Sequence, residues 1–335
     1  MYSNSLEPRS TTGFAGAAPV LVRLWLRVVA VLLALAPVHA ALAAGAPEMK
    51  PVQVSPSAWY VQGLSALGSP ENQNFISNAA FVITPAGVVV IDALGSPVLA
   101  ERLLAAIRQI TPKPVTHVIL THYHADHIYG LQVFKAQGAT VLAHRAGEQY
   151  LNSDTARQRL EVSRKDLAPW INADTRMVPA DHWIDGDETL EVGGVQFQIR
   201  HVGPSHTPED LAVWLPREQV LFAGDLVFRS RIPFVGQADS GHWIQALDQL
   251  LAYDAKVVVP GHGPISTEAR KDMQLTRDYL VYLRKTMRQA ATNMDPFEDA
   301  YKAADWTPFE HLPLFQAANR MNAYNTYLLM EREAK

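Results

Sequence analysis

The heptapeptide Thr121-His-Tyr-His-Ala-Asp-His127 packs three imidazoles and one carboxylate into seven residues, directly after the largely apolar run Val115–Leu120. Such a run reads as a buried strand. Borderline divalent ions such as zinc favour neutral imidazole and carboxylate ligands, and a short loop leaving a strand can hold several of them rigidly. On an extended segment His122 and His124 point to the same side, because side chains alternate with period two. Asp126 and His127 lead into the amphipathic stretch from His127 to Ala136, so both can face the same spot from the mouth of a helix.

Later segments supply the ligands that such a loop lacks. Gly203-Pro-Ser-His206-Thr-Pro, Phe222-Ala-Gly-Asp225-Leu and Pro260-Gly-His262-Gly-Pro each place one ligand-type residue in a Gly/Pro-rich turn beside a β-rich apolar run. Two metals about 3.5 to 4 Å apart need a shared anion to offset their repulsion, and a carboxylate with two oxygens can serve where imidazole cannot. Asp225 suits that role. Water bound there falls from a pKa of about 15.7 to about 7, so hydroxide held between the metals is a nucleophile near neutral pH.

In chain order THYHADH, GPSHT, AGD and PGHG resemble the metallo-β-lactamase-fold hydrolase superfamily, with Asp92 of Val88-Val-Val-Ile-Asp-Ala resembling its first motif. The resemblance covers roughly Asn74 to Ile265. It implies an α/β fold, a four-layer αββα sandwich, and a glyoxalase II-type ligand set. One metal would be held by His122, His124 and His206, a second by Asp126, His127 and His262, and Asp225 would bridge them. Two Zn2+ are the expected cofactors, with Fe or Mn as alternatives. Asp126 is the candidate catalytic residue. Asp92 either caps a turn or, as the resemblance suggests, props the THYHADH loop.

Cysteine is absent, which excludes a disulfide framework and also the β-lactamase subclass that needs a cysteine where Asp225 stands. That subclass grips a substrate carboxylate with a lysine three residues on; here Phe228 holds that offset and Arg229 follows it. Arg229 is either an ordinary surface arginine or a bidentate anchor for an anionic substrate. Flavodiiron-type relatives carry glutamate where His124 stands. Persulfide dioxygenases use one iron, whereas Asp126, His127 and His262 complete a second site here. The segments around His206 and Asp225 most resemble exported SoxH-like, quinoprotein-associated metallohydrolases. These expectations lead to a hydrolase of an ester, thioester, lactone or amide-type small substrate, with a β-lactamase-like amidase, an iron oxygenase or a non-enzymatic metal-binding protein as alternatives.

Compartment and organisation follow from the rest of the chain. Its 335 residues are 48% apolar and carry a net charge of only −4, with no electrostatic signature of a nucleic-acid binder. Arg23 and Arg27 precede an uncharged run with an apolar core Val28–Leu35, then Pro37 and a small-residue stretch at Ala41–Ala43 that resembles a cleavage site. The expectation is a signal peptide over residues 1–44, a periplasmic or secreted product and no stable membrane span after cleavage; an uncleaved anchor is the alternative. A catalytic domain is expected over 45–290 and a C-terminal helical extension over 291–335. Isolated His144, His182, His201 and His242 are read as structural or surface residues, His242 and Trp243 being the likeliest of the group to line the pocket.

Overall fold

Two sheets are built by alternation, each burying one face against the other sheet and the opposite face beneath helices. The computed structural model describes residues 1 and 47–334. The expected signal peptide, Met1 apart, lies outside the described residues. No described helix is long and apolar enough to cross a membrane.

The first sheet runs in spatial order β1 (Val52–Gln53), β2 (Ala58–Val61), β3 (Ala79–Thr84), β4 (Gly87–Ile91), β5 (Val115–Ile119), β6 (Thr140–His144) and β7 (His182–Ile184). β1 to β4 pair antiparallel and β4 to β7 parallel. β3 and β4 form a hairpin. Gly87 closes it at φ +152°, where a Cβ would meet the Thr116 side chain at 2.4 Å. The second sheet runs β12 (Val257–His262), β11 (Val220–Phe228), β10 (Leu211–Leu215), β9 (Val195–His201) and β8 (Glu188–Val192). Only its β11–β12 pair is parallel.

Strand period sorts the core into three layers. Val82, Val89, Ile91 and Ile119 of the first sheet meet Phe197, Val213, Val220 and Phe222 of the second. Their neighbours point the other way. Phe81, Val88, Val90 and Val118 pack beneath α1 (Pro97–Ile110) through Leu99, Leu103 and Ile107. Leu221, Ala223 and Trp214 pack beneath α6 (Ser240–Leu250), α7 (Ala269–Asn293) and the C-terminal α9 (Phe315–Glu333). The result is the expected αββα sandwich. Between them in sequence lie α2 (Ala125–Ile128), α3 (Leu131–Ala136), α4 (Ala146–Leu151), α5 (Asp154–Asp166) and α8 (Phe297–Ala303).

Three boundaries differ from expectation. The stretch from His127 to Ala136 is two short helices, α2 and α3, parted at Tyr129 and Gly130. A Cβ on Gly130 would meet the Ala93 carbonyl oxygen at 2.0 Å and Ala100 Cβ at 2.6 Å, so the chain presses backbone against backbone there. Asp225 and His262 lie within β11 and β12 rather than in turns after them, because the two strands continue side by side through irregular register around Gly224. Gly224 adopts φ +50° and lies so near Thr121 that a Cβ would sit 2.7 Å from its Cβ.

The tail joins the second helix layer. Asn322 of α9 is fully buried; its Nδ2 donates to the Pro233 carbonyl (2.7 Å) and its Oδ1 accepts from Val235 N–H (2.9 Å). Ile232 N–H donates to the Pro313 carbonyl at 3.0 Å. Residues 293–334 thereby fix the loop that follows β11. Replacing Asn322 by alanine strands a buried donor and a buried acceptor, so Asn322→Ala should lose about 2 to 4 kcal/mol. Urea unfolding followed by circular dichroism should show a lower midpoint with an unchanged slope.

Candidate metal centre

Parallel strands deliver the site. β4 and β5 end side by side at Asp92 and at the THYHADH loop, and β11 and β12 bring Asp225 and His262 to the same end of the sandwich. The β9–β10 connection adds His206. Two ligand groups result: His122, His124, His206 and Asp225, and Asp126, His127 and His262. The donor atoms of each group lie within 4.8 Å of one another.

The Asp225 carboxylate sits where the groups meet. Its Oδ2 lies 3.8 Å from His122 Nε2, 3.4 Å from His206 Nε2 and 3.2 Å from His262 Nε2, while its Oδ1 lies 3.2 Å from His127 Nε2. Asp126 Oδ2 lies 3.3 Å from His262 Nε2 and 3.6 Å from His127 Nε2. His124 Nδ1 and His206 Nε2 face each other at 3.0 Å.

Outer hydrogen bonds aim these rings. Asp92, at φ +60°, accepts from Thr121 N–H (2.8 Å), from Thr121 Oγ1 (2.8 Å) and from His127 Nδ1 (2.9 Å). Since Thr121 Oγ1 spends its proton on Asp92, it accepts from His122 Nδ1 at 3.0 Å. His262 Nδ1 lies 2.7 Å from the Ile76 carbonyl oxygen, positioned to donate to it. Three rings thus have Nδ1 engaged behind them and Nε2 turned inward. His122 Nε2, His127 Nε2 and Asp225 Oδ1 are buried without a hydrogen-bond partner among the described residues. Buried polar atoms that converge without partners fit a metal ion, which takes bare nitrogen and carboxylate oxygen at about 2 Å.

The electrostatics match. Burial pushes His122 and His124 below the usual imidazole range and His206 to about 3, so these rings are neutral, the form that binds metal. At His127 and His262 burial works against the cation, yet Asp225 and Asp126 outweigh it and raise both. Burial also raises Asp225, but His262 and His127 outweigh that and hold it well below the carboxylate range. The cluster calls for positive charge at its centre.

Aromatic rings close the back of the site. Trp243 lies edge-on to His206 with centroids 5.2 Å apart and donates Nε1–H to the Leu226 carbonyl. Phe228 stacks on His262 at 5.1 Å. His242 is exposed and bound to Asp239 (2.8 Å), away from the ligands. His144 stacks on His201 at 3.6 Å, and His182 pairs with Glu188. Arg229, read from sequence as either a surface arginine or an anchor for an anionic substrate, is bound to Asp272 (2.6 Å) and the Ile265 carbonyl. Arg231, two positions on and not singled out by sequence, is the arginine that reaches the centre. Two more structural ties were illegible: Asn78 Nδ2 donates to the Pro260 (2.8 Å) and Gly263 (2.7 Å) carbonyls on either side of His262, and Ser77 holds the Asp126 carbonyl.

Comparison with known proteins agrees with this geometry. The family profile described as Metallo-beta-lactamase superfamily matches residues 73–262. A linear primary-alkylsulfatase from Pseudomonas sp. is 27% identical over 269 residues, covering 67% of this chain and half of that protein's length. A type 2 metallo-beta-lactamase from Bacillus cereus is 27% identical over 195 residues, 56% of this chain and 68% of that one. Among solved structures, the sec-alkylsulfatase Pisa1 from Pseudomonas sp. aligns with a TM-score of 0.67 at 19% identity, over 84% of this chain and 50% of that one.

Asp92→Asn keeps a residue that tolerates φ +60° but replaces one accepting oxygen by a donor. Outer partners of metal-bound histidine are worth about 10- to 100-fold in affinity. Competition with a chromophoric chelator should show weakened metal binding by Asp92→Asn in that range, with an unchanged far-ultraviolet spectrum.

Proposed function

The chain belongs to the metallo-beta-lactamase superfamily, and on that premise we propose that it is an exported di-zinc hydrolase of small ester, thioester, lactone or amide-type substrates. The observation that carries this reading is the convergence of five imidazoles and two carboxylates, with His122 Nε2, His127 Nε2 and Asp225 Oδ1 buried and without a hydrogen-bond partner among the described residues. His122, His124 and His206 would hold one ion, Asp126, His127 and His262 the other, and Asp225 both. Bound there, two divalent ions supply a nucleophile from water near neutral pH and polarise the bond under attack.

The chain's own groups do the rest. Asp225, with Oδ2 facing His122, His206 and His262 and Oδ1 facing His127, would supply negative charge to both groups. Its side chain is 5% exposed, whereas that of Asp126 is 17% exposed, so Asp126 is the carboxylate open to the pocket. One Asp126 oxygen faces His262 and the other can accept a proton or orient the attacking group. The aromatic backing of Phe228 and Trp243 keeps water from behind the ligands and lowers the local dielectric.

Sulfate-ester cleavage is the second reading, favoured by the alkylsulfatase likeness over two thirds of the chain. The same nucleophile would serve, and specificity would lie in the loops. Metal-loaded protein assayed in parallel on thioesters, lactones, β-lactams and alkyl sulfates separates the two readings.

Metal count and kinetics test the core of the proposal. The purified chain should bind two equivalents, and Asp225→Ala should lose tight binding at both positions. Asp126→Asn, with occupancy measured in the same preparation, should lower kcat by about 10²- to 10⁴-fold and change KM little. An Asp225→Ala protein with two tightly held ions, or an Asp126→Asn loss confined to KM, would overturn the assignment.

Export is tested by mass. Protein recovered from the periplasm of a Gram-negative host should lack the residues up to about Ala43, the position that resembles a cleavage site. An intact, membrane-bound chain would establish the anchor instead.

A further inference from the structure

We propose that Arg231 is a fixed cation that makes the Asp126, His127 and His262 position the weaker of the two metal sites, an inference that rests on the metal-centre reading above. Arg231 is only 2% exposed and lies between the rings of Phe228 (5.6 Å) and Phe234 (5.3 Å). Its Nε has no hydrogen-bond partner, and it enters no ion pair among the described residues. A buried guanidinium is ordinarily matched by a carboxylate, because an unmatched charge in the interior is costly. Here its one polar contact among the described residues is Nη1 to His262 Nδ1, at 3.1 Å.

That contact competes with metal binding. To present Nε2 to an ion, His262 must carry its proton on Nδ1 and donate it to the Ile76 carbonyl at 2.7 Å. Nδ1–H and the guanidinium are then both donors, and Arg231 loses its acceptor. In the other tautomer Arg231 donates to a bare Nδ1, and Nε2–H faces Asp126 Oδ2 (3.3 Å) and Asp225 Oδ2 (3.2 Å). Arg231 favours that form of His262 and so opposes the Ile76 carbonyl, which favours the ligating one.

Its charge acts in the same direction, across one imidazole from the second ion in a poorly screened interior. Among the described residues no guanidinium touches a ring of the first site; Arg159 acts on His124 through space only. Neutral groups back it, Thr121 Oγ1 behind His122 and the Trp243 ring against His206. Loading is thereby staggered: the His122, His124 and His206 position fills first, and the second fills only when free metal is higher.

The test is stepwise zinc titration of chelator-stripped full chain against a chromophoric competitor. The wild type should show two separated steps. Arg231→Met removes the charge and nearly keeps the volume, and should tighten the second step by about 10- to 100-fold while leaving the first unchanged. Arg231→Lys keeps a charge and should retain the wild-type separation, which a purely structural role would not predict. Should Arg231→Met fail to fold, Arg231→Gln carries the same expectation. A folded neutral variant whose second step is unchanged or weaker overturns the proposal while leaving the metal centre intact; a wild type that takes up no zinc overturns both.

Discussion

The buried carboxylate of Asp225 is the constraint around which the rest is arranged. The segment after β5, the β9–β10 connection and β12 aim imidazoles at it, and its oxygens lie 3.2 to 3.8 Å from four of those rings. Burying such a charge is costly unless positive charge answers it. Metal ions would answer it, and because their ligands come from both sheets, their binding free energy would join the two halves of the sandwich. The chain has no disulfide with which to do the same.

The ligand types were legible because chemistry and spacing carry them. Asp92, Asp126, Asp225 and five of the histidines could be named from short motifs, and the layers from the resemblance those motifs carry; the uniformly apolar Val88–Ile91 marks a strand without showing which face meets which layer. What stayed hidden depends on contacts distant in sequence. The break at Gly130 exists because the Ala93 carbonyl lies against it, and β11 runs on to Phe228 because β12 accompanies it. α5, rich in charge, has only Ala156, Leu160 and Ser163 to bury and gives a faint apolar signal.

The exchange of Arg229 for Arg231 shows the same limit more sharply. Ser230 between them adopts φ +55°, so the two arginines leave the chain in different directions. One finds Asp272 and the other enters the aromatic pocket beside His262. No periodicity rule covers a single left-handed residue. The tail adds a further layer, since Pro313 and Asn322 hold the segment that follows. A stretch with no motif of its own therefore helps to shape the pocket wall.

Asn78 stands at the entry to β3 yet grips the backbone on both sides of His262, a residue of the other sheet. A sandwich bolted this close to its ligands cannot admit a substrate by parting its sheets. Entry must be negotiated by the loops alone. On the hydrolase reading proposed above, substrate choice would be a property of loop length and side-chain bulk around a rigid mouth, free to diverge without disturbing the packing below.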